Sequence, residues 1–158
     1  MSYNINFLSA TEGITLVKAG SLSAEEWMKA CLKQVENLNS ILHAFVHTDP
    51  DFSLGQARSI DTKRKKGESL GTLAGTPVGV KDIFNTNTMP TQMGSPIWKN
   101  FKPGNDARVV HYLQMADGVV AGKTVTAEFA VHVPGPTRNP HNPGHIPGTS
   151  SSGSVVAV

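Results

Sequence analysis

Two short segments carry side chains whose type and setting packing alone does not explain. In Val78-Gly79-Val80-Lys81-Asp82-Ile83-Phe84 a lysine emerges directly from an apolar, β-branched run. A buried ammonium is costly unless it is paired or sheds its proton, and a desolvated, neutral lysine is a general base. A Lys81 that snorkels to water, or that pairs with Asp82, fits the same pattern, and the segment alone does not choose. The second segment, Gly148-Thr149-Ser150-Ser151-Ser152-Gly153-Ser154, gathers hydroxyls and glycine just before a small apolar run. Local rules read it first as a serine-rich loop ending in a helix N-cap.

Other chemistries fail on spacing. Gly122-Lys123-Thr124 resembles the end of a phosphate-binding loop, but Asp117 stands where that motif needs a glycine. Ser150 has Gly148 before it and Ser152 after it, which breaks the nucleophile elbow, and no serine has a lysine three residues later. His141 and His145 are separated by Pro143 and Gly144, which forbid a helix that would align two imidazoles for a metal. His43, His47, His111 and His132 lack partners at ligand spacing, so neither a histidine triad nor a metal centre is expected.

The elements that must position the two segments alternate between helix and strand. Ser23 and Glu26 form a capping box ahead of Trp27, Cys31, Val35 and Leu38 at helical spacing, predicting a helix over 23–38. A shorter helix over 9–18 precedes it, closed by Gly20, and a strand is expected at 41–47. Asp49-Pro50 opens a third helix ending near Gly67. AGTPVGVKDIF reads as a strand buried on both faces, 105–118 as a helix with a good cap residue, and VVAGKTV as another strand. This order argues α/β. Between Pro134 and Gly153 lie five prolines and four glycines, which make that stretch a loop.

The totals are those of a soluble globular chain: 158 residues, 39% hydrophobic, 16% charged and a net charge of +2. The basic run Lys63-Arg64-Lys65-Lys66 reads as a solvated helix end rather than a nucleic-acid surface. No signal peptide or membrane span is expected, and cytoplasmic residence is. The single cysteine, Cys31, is expected to be packed and inert.

Taken together, the segments resemble the amidase signature family. GTPVGVKD resembles its lysine strand and PGTSSSGSVVAV its glycine-serine-rich signature. DARVVHYLQMADGVVAGKTVTAEFA and GPTRNPHNPGHIPG follow its intermediate blocks, and SLSAEEWMKACLKQVENLNSILHAFV resembles its N-terminal helix pair. The resemblance implies an α/β fold, a mixed sheet flanked by helices on both faces, with residues 1–158 forming the N-terminal portion of a single domain. It implies a serine, cis-serine, lysine triad that hydrolyses a linear carboxylic amide to an acid and ammonia or amine. Lys81 falls on the family's lysine and Ser150 on its cis-serine, with Ser151, Thr149 and Gly148 in the supporting loop. The nucleophile and oxyanion-hole amides would lie beyond Val158, so the chain alone is expected to be inactive.

No cofactor and no metal are implied. The partner would be a small-molecule amide, neither nucleic acid nor membrane, and self-association into a homo-oligomer is left open. Two alternatives are the A subunit of a glutamine-dependent amidotransferase and an inactive fragment. The sequence departs from the family pattern at Thr149 and Ser152, where glycine is common, at Ala116-Asp117-Gly118, where Ala-Gly-Ala is usual, and at Val125, usually asparagine.

Overall fold

In a computed structural model, residues 4–131 and 133–158 are described. Two helices begin where serine and glutamate can satisfy each other's exposed N–H groups. Ser9 and Glu12 close a capping box on α1 (Ala10–Ala19), which Gly20 ends in the left-handed region at φ 75°. Ser23 and Glu26 do the same for α2 (Ala24–Leu42). The start of α2 is also held from α3 (Pro50–Lys65): the two Asp61 carboxylate oxygens accept from Ala24 N and Glu25 N at 2.9 and 3.0 Å. Asp49 caps α3, and Pro50 fills its first turn as expected.

Three strands form the sheet, β1 (Phe45–His47), β2 (Pro77–Lys81) and β3 (Val119–Thr124), in the order β1-β3-β2. β1 runs antiparallel to β3 and β2 parallel to it, with Lys81 opposite Thr124. β3 is the strand buried along its whole length. One apolar cluster joins Val17, Trp27, Met28 and Ile60 of α1 to α3 to Val119 and Ala121. A second joins Val110 of α4 (Arg108–Met115) and Met89 to Val80 and Val120. The architecture is the expected α/β arrangement, a small mixed sheet flanked by helices. The chain closes with α5 (Ser152–Ala157).

Three expectations need correction. The strand expected at 41–47 is confined to 45–47, because α2 continues to Leu42 and His43 ends it in the left-handed conformation at φ 51°. The strand expected to be buried on both faces is β3 rather than β2, where Val80 alone is fully buried and Gly79 is exposed. The helix expected over 105–118 runs 108–115 and has no side-chain cap. Asp106 is engaged elsewhere: its Oδ1 accepts the Asn87 N–H at 2.7 Å.

The basic run ends α3 as a half-solvated face, with Lys63 paired to Asp117 at 2.7 Å. Asp117, a departure from the family pattern, adopts φ 62° and also accepts the Gly71 N–H at 2.6 Å, so its carboxylate ties the helix end to the turn before β2. Cys31 packs against the first cluster, and burial pushes its thiol pKa up, away from reactivity.

Candidate active site

The C-terminal end of β2 delivers Lys81 to the start of α5. Lys81 Nζ lies 3.0 Å from Ser150 Oγ and donates to it. Lys81 does not pair with Asp82, one of the arrangements its local sequence allowed; Asp82 turns to Lys123 instead, 3.1 Å away. The Lys81 side chain borders a cavity of about 290 Å³. Val109, Val110 and Leu113 of α4 and Phe84 make its apolar walls, and Ser151 and Ser154 its polar edge. Burial lowers the Lys81 pKa below the ordinary lysine value, which raises the neutral fraction that can accept a proton.

Ser150 is fixed through its backbone. Its carbonyl accepts from Thr126 Oγ1 at 3.0 Å and from Ala127 N at 3.3 Å. The N-terminus of α5 abuts the end of β3: Gly153 N donates to Val125 O at 3.1 Å, and a side chain at Gly153 would collide with the Ala44 carbonyl and the Val125 backbone. Thr124 Oγ1 and Ser154 Oγ share a hydrogen bond of 2.7 Å beside the Lys81 register. Val125, where the family pattern has asparagine, serves through its backbone, its N donating to Ala44 O at 2.9 Å.

The supporting loop differs in detail from its expected form. The described residues contain no cis peptide bond, so Ser150 reaches Lys81 with trans peptide bonds on either side of it. The loop takes its unusual dihedral at Gly148, φ 149°, a value open to glycine. Thr149 therefore avoids the positive φ it would resist, and it is solvent-exposed. Ser151 occupies the N-cap position of α5 without a side-chain capping bond, so the simple cap reading of the serine run does not describe it. Thr126, Ala127 and Ser154 escaped the sequence reading; none has a local signature, since each acts through a partner more than 20 residues away.

Among the described residues no cluster of three or more His, Cys, Asp or Glu side chains could hold a metal, and His132 lies outside them. No described helix is long and apolar enough to cross a membrane. A larger cleft of about 330 Å³ between α2 and α5, lined by Trp27, Leu38, Phe45 and Val158, includes neither Lys81 nor Ser150.

A lysine held on a hydroxyl at a strand end, beside an apolar cavity, is an arrangement that can pass a proton between the two groups. The chain belongs to the amidase signature family: the Amidase family model matches residues 26–158. It is 41% identical to the A chain of the glutamyl-tRNA(Gln) amidotransferase of Streptomyces avermitilis, over 98% of this chain and 32% of that protein. Its fold matches native peptide amidase from Stenotrophomonas maltophilia with a TM-score of 0.89 and 32% identity, over 96% of this chain and 34% of that one. A bacterial aryl acylamidase of the amidase signature family matches with a TM-score of 0.87 and 26% identity, over 93% of this chain and 32% of that one. The chain thus spans about a third of the length of these relatives.

Proposed function

We propose that this chain supplies the general base and the relay hydroxyl of an amidase that hydrolyses a small carboxylic amide. The observation that carries the reading is the 3.0 Å contact between Lys81 Nζ and Ser150 Oγ. Neutral Lys81 takes the Ser150 proton, and Ser150 takes a proton from a serine nucleophile as that oxygen bonds to the amide carbon. As the tetrahedral intermediate collapses and the C–N bond breaks, the relay reverses and delivers the proton to the departing amine. Water then repeats the attack on the acyl-enzyme and releases the acid. The resemblance puts the nucleophile and its oxyanion-hole amides after Val158, and cytoplasmic residence belongs to the same reading.

The test is turnover of a carboxylic amide by the complete protein carrying Lys81→Ala. General-base catalysis contributes about 10²–10⁴-fold, and a loss of that size is expected. Wild-type turnover would remove Lys81 from the mechanism.

The identity of 41% to an amidotransferase chain supports a second reading, in which the same relay releases ammonia from glutamine for a partner protein. Glutaminase activity that depends on a co-purifying protein would select it; hydrolysis of varied amides by the isolated protein would select the free amidase.

A further inference from the structure

Lys81 and Ser150 both take their positions from one short stretch of chain, Thr124 to Ala127, at the end of β3 and just beyond it. Thr124 stands opposite Lys81 in the parallel register, and its carbonyl accepts the Asp82 N–H at 3.0 Å. Two residues on, the Thr126 hydroxyl donates to the Ser150 carbonyl at 3.0 Å, and Ala127 N reaches the same oxygen at 3.3 Å. Among the described residues Thr126 is the one side chain bonded to the Ser150 backbone.

Thr126 is a firm anchor for that bond. It is 2% exposed, so solvent has little access to its hydroxyl, and its β-branched side chain has few rotamers to choose from. Its hydroxyl proton is directed between two carbonyls, Ser150 O and, at 2.9 Å, Ala127 O. Two loops grip its backbone: a Cβ at Gly94, which adopts φ 66°, would come to 2.8 Å from the Thr126 carbonyl oxygen, and one at Gly135 to 3.2 Å. Ser150 has no comparable anchor of its own. Its hydroxyl has Lys81 as its one bonded partner among the described residues, and Ser151 beside it makes no capping bond. The direction of the Ser150 side chain is therefore set by the backbone beneath it.

We propose that Thr126 is a positioning residue for the relay: by donating to the Ser150 carbonyl it fixes the peptide plane after Ser150, and with it the direction in which the Ser150 hydroxyl projects toward Lys81. This rests on the reading of Lys81 and Ser150 as base and relay. Thr126 touches neither the proton that moves nor the lysine that takes it. Without its hydroxyl, Ala127 N alone holds the carbonyl, at 3.3 Å, and Ser150 can turn from Lys81 while the chain stays folded.

The test is a double-mutant cycle on the hydrolysis of a carboxylic amide by the complete protein, with kcat and KM measured separately. Thr126→Val keeps the shape of the side chain and removes the donor. It should lower kcat by about tenfold to about 10²-fold and leave KM within about threefold, as expected when a reacting group is displaced by a fraction of an ångström to an ångström and substrate binding is untouched. Thr126→Ser, which keeps the donor, should recover most of the loss. In a Ser150→Ala background Thr126→Val should change kcat by less than about threefold, because no hydroxyl is left to direct. A Thr126 needed for packing alone would lower kcat by the same factor in both backgrounds, and that result would overturn the proposal. Wild-type kcat in Thr126→Val would overturn it too and leave the relay standing. Should Thr126→Val fail to fold, Thr126→Cys, a weak donor of similar size, takes its place in the cycle with the same expected pattern. Wild-type kcat in Ser150→Ala would overturn the relay reading itself.

Discussion

Lys81 Nζ and Ser150 Oγ are 3.0 Å apart although 69 residues separate them in the chain. The contact joins the end of β2 to the loop before α5. β3 holds Lys81 through the parallel register, while Val125 and Ala127, just beyond β3, hold the Gly153 N–H and the Ser150 carbonyl.

Removing the relay hydroxyl should separate chemistry from folding. Ser150 contributes to the fold through its carbonyl, which Ser150→Ala keeps, so the variant should unfold at the same denaturant concentration as wild type. Turnover by the complete protein should fall by about 10²-fold or more, as expected when a proton-transfer group is lost. Denaturant titration and steady-state kinetics on the same preparation check both halves.

The pH dependence follows from the lowered Lys81 pKa. The base acts only when neutral, so kcat/KM should rise with pH and level off above a midpoint below the ordinary lysine value of about 10.4. Stability carries the same sign. Between the folded and the ordinary values the unfolded chain binds more protons at Lys81, so unfolding free energy rises with pH across that window. Lys81→Met should reduce this rise, leaving the share of Lys123, whose pKa burial also lowers, as measured by denaturant midpoints across the alkaline range.

The buried pair makes a stability prediction as well. With Lys123 0% and Asp82 1% exposed, removing one partner strands the other in the core. Lys123→Met should cost about 3–5 kcal/mol of unfolding free energy, and adding Asp82→Asn should recover much of it. Equal losses in the single and double variants would show that the two charges do not compensate each other.

Gly153 sets how closely α5 approaches β3. A Cβ there meets the Ala44 carbonyl and the Val125 backbone, neither of which can rotate away. Gly153→Ala should therefore destabilise the chain by about 1–3 kcal/mol, the usual cost of overpacking. Because the displaced backbone leads directly from Ser150, Lys81 reactivity toward acetic anhydride should change in the same variant, whereas Gly55→Ala, where a Cβ would meet no atom within 4 Å, should leave Lys81 unchanged.

What the sequence made legible was local. The capping box at Ser23 and the proline start of α3 involve residues within one turn, and both helices begin where these signals stand. The helix expected over 105–118 begins only at Arg108 for the opposite reason: the nearby Asp106 carboxylate has a distant partner, the Asn87 N–H, that no local rule reveals. Lys81 and Ser150 became candidates through their joint register in a family pattern, and the structure brings them together. Lys123 carried the same warning as Lys81, a cation inside an apolar run, but was weighed as a phosphate ligand alone. Its partners at positions 82, 90 and 91 come from another part of the chain.

The central claim is that Lys81 is held as a base on Ser150. Its most direct test is the titration of Lys81 in the folded chain, followed by NMR of lysines labelled with carbon-13 at Cε and assigned by comparison with Lys81→Met. The account predicts a midpoint below that of the exposed lysines, with a further change in Ser150→Ala as the 3.0 Å contact is lost. A Lys81 that titrates together with the exposed lysines, and is indifferent to Ser150→Ala, would contradict it.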